Sequence, residues 1–251
     1  MRILSLSPSS TEILYALGAE KELVGVTHLC DYPQAAQYKP QFGSWLHTQP
    51  ERLAQANPDV IVTTTFFPKE LESLRATHTL LHLQPKGLAG VFETIHQLGE
   101  VSGRTENART LIDSMQRQFE KLRAAAPQKK LRVYCEEWPN PPMIAGNWVP
   151  EIVELVGGMP IGGVHHEPST TVQVDALRAA DPDLMIFHWC SKDDIHELES
   201  VRQRKGWSEF RAVQTDALVR IPNSLLNRPG PRLVEGAKHL QNALLQHQHL
   251  H

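Results

Sequence analysis

The sequence predicts an α/β protein of two similar lobes, and three observations carry that expectation. First, the block Leu53-Ala54-Gln55-Ala56-Asn57-Pro58-Asp59-Val60-Ile61-Val62 recurs as Leu177-Arg178-Ala179-Ala180-Asp181-Pro182-Asp183-Leu184-Met185-Ile186, offset by 124 residues. Second, Thr11–Ala19 is matched by Pro150–Gly158, each a short helical pattern that ends on Gly18-Ala19 or Gly157-Gly158. Third, each block reads as helix, Pro-Asp breaker and continuous apolar run, the pattern of a strand buried on both faces of a parallel sheet. Two such lobes in one chain place a ligand cleft between them.

The first lobe begins with a strand at Arg2–Leu6 and a helix opened by Ser9-Ser10-Thr11-Glu12, whose hydroxyls are expected to accept orphan helix N–H bonds. Gly18 supplies the helix stop. Further strands are expected at Leu23–Thr27, Asp59–Thr65 and Leu80–Leu83, with helices at Pro50–Ala56 and Leu88–Ser102. A long helix follows from Thr105 to Ala125, because Ala108, Leu111, Met115, Phe119 and Leu122 recur at three- and four-residue steps. Pro127 ends it, and strand Leu131–Cys135 opens the second lobe. The expected organisation is therefore a lobe over residues 1–103, a bridging helix over 104–127 and a lobe over 128–251. A single helical connection resists bending, which predicts little closure on binding.

Composition narrows the partners. The chain has 251 residues, 41% of them hydrophobic, with a formal net charge of −3, so no basic excess points to nucleic acid or an anionic membrane surface. No run approaches the ~20 apolar residues of a membrane span. Met1-Arg2-Ile3 enters the first strand pattern with no apolar leader before it, which predicts a cytoplasmic protein as written, and a periplasmic one if a leader has been trimmed. Cys30, Cys135 and Cys190 have no CxxC spacing, and three reduced, mostly buried thiols are expected.

In open parallel sheets, ligands sit beyond the carboxyl ends of the strands. The repeat places there the Ser9 loop, Trp45, Phe66, Trp148, His165, His166 and Trp189. Three tryptophans in such loops, in a chain with only 6% aromatics, favour a large, flat, partly apolar ligand. His165-His166-Glu167 with His188 has no HExxH-type spacing, so no metal site of protein ligands alone is expected; His165 or His166 is a candidate axial ligand to a bound chelate. GxSxG, Walker A and GxGxxG patterns are absent, and no nucleophile constellation can be assembled. Glu51 and Asp175 occupy equivalent positions at two helix starts, where the helix dipole favours an acid; they are also candidates for a symmetric docking pair.

These residues resemble the helical-backbone (class III) substrate-binding proteins of bacterial ABC importers, and within them the vitamin B12 binders. The matching segments are Leu4–Glu12, Val24-Gly25-Val26, Asp31-Tyr32-Pro33, Glu51-Arg52, Pro58-Asp59, Asn140-Pro141-Pro142, Gly157-Gly158 and Arg228-Pro229-Gly230-Pro231-Arg232. The resemblance implies two Rossmann-like lobes bridged by one long helix, and no chemistry on the ligand. It implies ligand contacts from Trp45 and from the loop Ser224–Arg228, and permease docking by Glu51 and Asp175. Leu29, Thr64 and Ser169 stand where the B12 binders carry aromatic residues.

The expected function is a non-catalytic receptor with no intrinsic cofactor, binding cobalamin or a related corrinoid or metal chelate. It would deliver that ligand to an ABC importer permease or hold it in the cell. A ferric siderophore or haem receptor is the alternative among binding proteins. An enzyme acting on a corrinoid or metal chelate, with His165 or His188 as ligand or acid/base, is the alternative of another class.

Overall fold

The repeated Asx-Pro-Asp block folds as the same turn in both halves of the chain. In the computed structural model, which describes residues 1–44, 48–190 and 198–249, Asn57 and Asp181 both take positive φ, 45° and 43°. An arginine at the start of a neighbouring strand then clamps each turn. The Arg2 backbone N–H donates to Asp59 Oδ2 at 2.7 Å and its guanidinium to the Ala56 and Asn57 carbonyls, each at 2.8 Å. Likewise, the Arg132 N–H donates to Asp183 Oδ2 at 2.7 Å and its guanidinium to the Ala180 carbonyl at 3.0 Å. Pro-Asp is therefore more than a breaker: the Asp carboxylate joins two adjacent strands.

The chain divides into two units by its contacts: Met1–Pro85 with Ala89–Met115 and Pro229–Pro231, and Lys86–Leu88 with Gln116–Arg228 and Arg232–His251. In the first, β1 (Ile3–Ser5), β2 (Leu23–Gly25), β3 (Val60–Thr64) and β4 (Thr79–Leu83) form a parallel sheet in the order β2-β1-β3-β4. Val60, Ile61 and Val62 are all buried, as expected of a strand covered on both faces. Helices α1 (Pro8–Ala16), α2 (Pro50–Gln55) and α3 (Gly87–Ser102) follow β1, precede β3 and follow β4. Leu4, Leu6, Leu53, Ile61, Leu71 and Leu74 form one core cluster of this unit.

The start of α1 differs from expectation. The helix opens one residue earlier, with Pro8 in its first turn and Ser7 at the cap, and no side chain caps it. Proline removes one of the N–H groups a cap would have satisfied. The Ser7 and Ser9 hydroxyls bond to each other at 2.8 Å instead. Gly18 does end the segment, at φ 72°.

Helix α4 (Thr105–Ala124) is the expected long helix; Ala108, Met115, Phe119 and Leu122 are buried along it. Its residues through Met115 belong to the first unit and those from Gln116 to the second. In the second unit, α10 (Leu233–His247) packs along it through Gln241 Nε2, which donates to the Leu122 carbonyl at 2.7 Å.

The second sheet is not the all-parallel copy that the repeat suggests. Strands β5 (Arg132–Pro139), β6 (Pro142–Ile144), β7 (Met159–Pro160), β8 (Thr170–Thr171), β9 (Leu184–Phe187) and β10 (Leu218–Arg220) run in the order β10-β9-β5-β6-β8, with β7 also on β5. The pairs β10–β9, β9–β5 and β5–β7 are parallel, whereas β5–β6 and β6–β8 are antiparallel. A tight Asn140-Pro141 turn folds β6 back on β5, which only an antiparallel pair allows. The remaining helices are α5 (Val149–Leu155), α6 (Val174–Ala180), α7 (Glu199–Arg202), α8 (Arg211–Gln214) and α9 (Asn223–Leu226). Among the described residues, no helix is long and apolar enough to cross a membrane.

Candidate functional site

At the carboxyl end of the first sheet, hydroxyls gather where β1 and β3 stop. Ser10 Oγ meets Thr64 Oγ1 at 2.6 Å, Thr11 Oγ1 donates to Ser5 Oγ at 2.9 Å and lies 3.2 Å from Cys30 Sγ, and Thr27 lies 3.3 Å from the same sulfur. Ser9 is 3% exposed, and its partner Ser7 is a hydroxyl, not a base, so nothing here activates it as a nucleophile. Phe66 follows the positive-φ residue Thr65 and is 42% exposed. Trp45 lies outside the described residues. Glu51 is exposed in the first turn of α2, and Asp175 is exposed in the first turn of α6, so the two repeats present an acid at the same place.

In the second unit, side-chain alternation along β5 and β9 separates two polar clusters at the strand ends. Tyr134 and Glu136 share one face of β5, and Phe187 and Trp189 continue that face from β9. Glu136 is fully buried, and every lone-pair direction of its carboxylate is used. Arg204 donates twice, at 2.7 Å to each oxygen; the Tyr134 hydroxyl and the Trp189 indole N–H donate at 2.6 Å. The Arg204 guanidinium also lies 4.5 Å over the Trp207 ring. Burial, with Glu136 beside it, pushes the Tyr134 phenol well above its usual value.

Two predicted ligand-facing tryptophans are thereby corrected to interior residues. Trp189 is 4% exposed, with its N–H spent on Glu136; Trp148 is also 4% exposed, with its N–H donating to the Leu226 carbonyl at 2.7 Å. A buried indole must satisfy its N–H, and both rings do so within the second unit.

The other face carries Glu137, His188, Cys190 and Asn227. His188 is 1% exposed; its Nδ1 hydrogen-bonds to Asn227 Oδ1, and Asn227 Nδ2 donates to the His188 carbonyl at 2.9 Å. Ser169 donates to Glu137, and its hydroxyl also accepts the Gly146 N–H at 3.2 Å. Gly146 is required there, because a Cβ would lie 2.2 Å from the Glu167 carbonyl oxygen. Desolvation holds the His188 imidazole below its ordinary pKa, against the pull of Glu137 and Asn227. Desolvation and then Glu137 push the Cys190 thiol up, against Asn227 and Arg228. A histidine, a cysteine and an asparagine thus converge, but a thiol with a raised pKa and a ring nitrogen, His188 Nε2, with no hydrogen-bond partner among the described residues do not make an activated nucleophile.

The predicted histidines sit apart from that cluster's hydrogen bonds. His165 Nε2 pairs with Glu154 Oε1 at 3.2 Å, and exposed His166, at φ 64°, packs on Gly87, where a Cβ would come within 2.4 Å of its ring. Beside it, Glu151 accepts the Leu88 N–H at 2.7 Å. Ser224 and Arg228 are half-buried at either end of the segment that carries Asn227, and the Arg232 guanidinium reaches Ser224 at 3.4 Å. Among the described residues, no group of three or more histidine, cysteine or acidic side chains is arranged to hold a metal ion. All three cysteines are free; Cys30 and Cys135 are buried and Cys190 is exposed, and burial pushes Cys135 to a pKa of about 12.

Sequence reasoning missed Glu136 and Glu137, and it reached Asn227 only as part of the loop Ser224–Arg228 and Cys190 only as a free thiol. The signal that could have found the first was a charged pair inside an apolar run, Tyr134-Cys135-Glu136-Glu137, which no strand buried on both faces carries without partners.

A family model described as periplasmic binding protein matches residues 3–225. An uncharacterized ABC transporter substrate-binding lipoprotein, YvrC of Bacillus subtilis (strain 168), is 25% identical over 97% of this chain and 79% of its own. The vitamin B12-binding protein of Vibrio cholerae is 26% identical over 94% of this chain and 86% of its own. The crystal structure of a periplasmic heme binding protein from Pseudomonas aeruginosa superposes with a TM-score of 0.85 at 24% identity, covering 99% of this chain and 93% of that one.

Proposed function

Because this chain belongs to the periplasmic binding protein family, we propose that it is a non-catalytic substrate-binding protein for cobalamin or a related corrinoid, delivering it to an ABC importer. The observation that carries this reading is the match to a vitamin B12-binding relative over 94% of the chain, which exceeds any local motif in extent. The chemistry of the strand ends supports it: hydroxyls, an amide and a neutral imidazole bind ligands without an activated nucleophile among the described residues. In the first unit the proposed contacts are Ser9, Trp45 and Phe66; in the second they are His165, His166, Ser224 and Arg228.

Titration with cyanocobalamin, followed by tryptophan quenching and by the corrin visible spectrum, is expected to give saturable one-to-one binding with Kd of about a micromolar or tighter. A band shift with aquocobalamin that is lost on replacing His165 or His166 would identify an axial ligand. No corrinoid binding, together with tight binding of haemin or a ferric siderophore, would replace the corrinoid reading.

Glu51 and Asp175 are proposed to dock the receptor on cationic side chains of a permease, since both acids are exposed at equivalent helix starts. Reversing both to lysine is expected to leave cyanocobalamin affinity unchanged while abolishing ligand-stimulated ATP hydrolysis by the importer. Loss of ligand affinity instead would assign the pair to the binding site.

A further inference from the structure

The His188 imidazole is a buried polar group for which the fold provides only half a role. Its carbonyl can only accept, so Asn227 must turn Nδ2 toward it and Oδ1 toward the ring. An amide oxygen also only accepts, so ring Nδ1 carries the hydrogen. The neutral ring then keeps its lone pair on Nε2. That atom is buried and has no hydrogen-bond partner among the described residues. Buried polar atoms are nearly always paired, and an unpaired one is a place where a missing partner belongs. The Glu137 carboxylate acts on the same ring and brings a second acceptor to the cluster.

We propose that His188 Nε2 accepts a hydrogen bond from an N–H-bearing arm of the ligand, and that this selects amide-armed corrinoids over chelates that present carboxylates. The inference rests on the binding-protein reading above and names its substrate class. Burial decides the shape of what arrives: a lone pair beneath the surface is reached by a slender arm inserted between side chains, not by the face or the metal of a macrocycle. Charge decides its chemistry. An ionised carboxylate entering here meets the Nε2 lone pair and the Glu137 carboxylate, both acceptors, whereas a primary amide supplies a hydrogen. Arg228 works against that selection, because its guanidinium holds an ionised carboxylate more strongly than a neutral amide carbonyl, so the part played by His188 is read from the change its replacement makes.

Dicyanocobinamide and dicyanocobyrinic acid share ring and metal and differ in whether most side arms end in amides or carboxylates. At pH 7.5 the ratio of cobinamide affinity to acid affinity is expected to be at least about tenfold higher for the wild-type protein than for His188→Ala, the size of one hydrogen bond to a buried acceptor. His188→Ala is expected to lower cobinamide affinity roughly tenfold while leaving that of the acid unchanged or improved. Equal losses on both corrins, or no loss on either, would overturn the role of His188 and leave the receptor reading standing. Failure of the wild-type protein to bind either corrin would sink both. Should the alanine variant not fold, nitrogen-15 spectra of histidine-labelled wild-type protein decide the matter. Nε2 is expected in the unprotonated range, moving toward the protonated range when dicyanocobinamide is added; a protonated Nε2 in the free protein, or one unmoved by saturating cobinamide, would overturn the proposal.

Discussion

Replacing Glu136 by alanine is expected to destabilise the protein by about 3–5 kcal/mol, the cost of leaving a buried partner charge uncompensated. Glu136 is fully buried, the Arg204 side chain is 15% exposed, and the carboxylate also satisfies the Tyr134 hydroxyl and the Trp189 indole. Its removal strands three donors at once. Arg204→Ala is expected to cost a similar amount, because the carboxylate would then be buried with only neutral donors. The double variant Glu136→Leu with Arg204→Met removes both charges and is expected to recover much of the loss. Urea unfolding followed by tryptophan fluorescence measures all three. Single-variant losses below about 1 kcal/mol would mean that water reaches the pair and that it is a surface interaction.

Replacing Asp183 by alanine is expected to cost about 2–4 kcal/mol, and replacing Asp59, its counterpart in the first repeat, about 0.5–1.5 kcal/mol. The turns are the same; the burial is not. The Asp183 side chain is 9% exposed and accepts from the Arg132 backbone, the Arg132 guanidinium and Arg211. The Asp59 side chain is 56% exposed, and the Arg2 guanidinium goes to backbone carbonyls rather than to the carboxylate. Desolvation alone would raise the Asp183 pKa, but the Arg132 side-chain and backbone hydrogen bonds, with Arg132 and Arg211 charges nearby, hold it below the usual carboxylate value. Its folded pKa therefore lies below its unfolded one, near 3.9. The contribution is fully present above the unfolded value and is lost as pH falls through the folded value. Wild-type and Asp183→Ala stabilities are expected to converge as pH falls from about 5 through the folded value. A gap independent of pH across that range would assign the effect to packing instead of charge.

Much of the fold was legible in the chain because it depends on local pattern. The 124-residue repeat marked two helix–turn–strand units, and each formed with the residue before its Pro-Asp breaker, Asn57 or Asp181, at positive φ. The stripe Ala108, Met115, Phe119, Leu122 marked the long helix to within one residue at its end, since a 3.6-residue period survives any tertiary context that buries one face. Membership of the family followed from the same ordered segments and is borne out over residues 3–225.

The site was less legible, for the opposite reason. Trp148 and Trp189 fall in strand-end loops, and loop position alone does not say which way a ring turns. Their indole N–H groups are drawn inward by partners 78 and 53 residues away in sequence, Leu226 and Glu136. The lone pair of His188 is likewise settled by Asn227, 39 residues on. Alternation and periodicity place a residue on a face, and that much the amino-acid sequence determined by itself. Which buried donor meets which acceptor depends on contacts distant in sequence, where desolvation penalises every unpaired atom, and only the tertiary structure decided it.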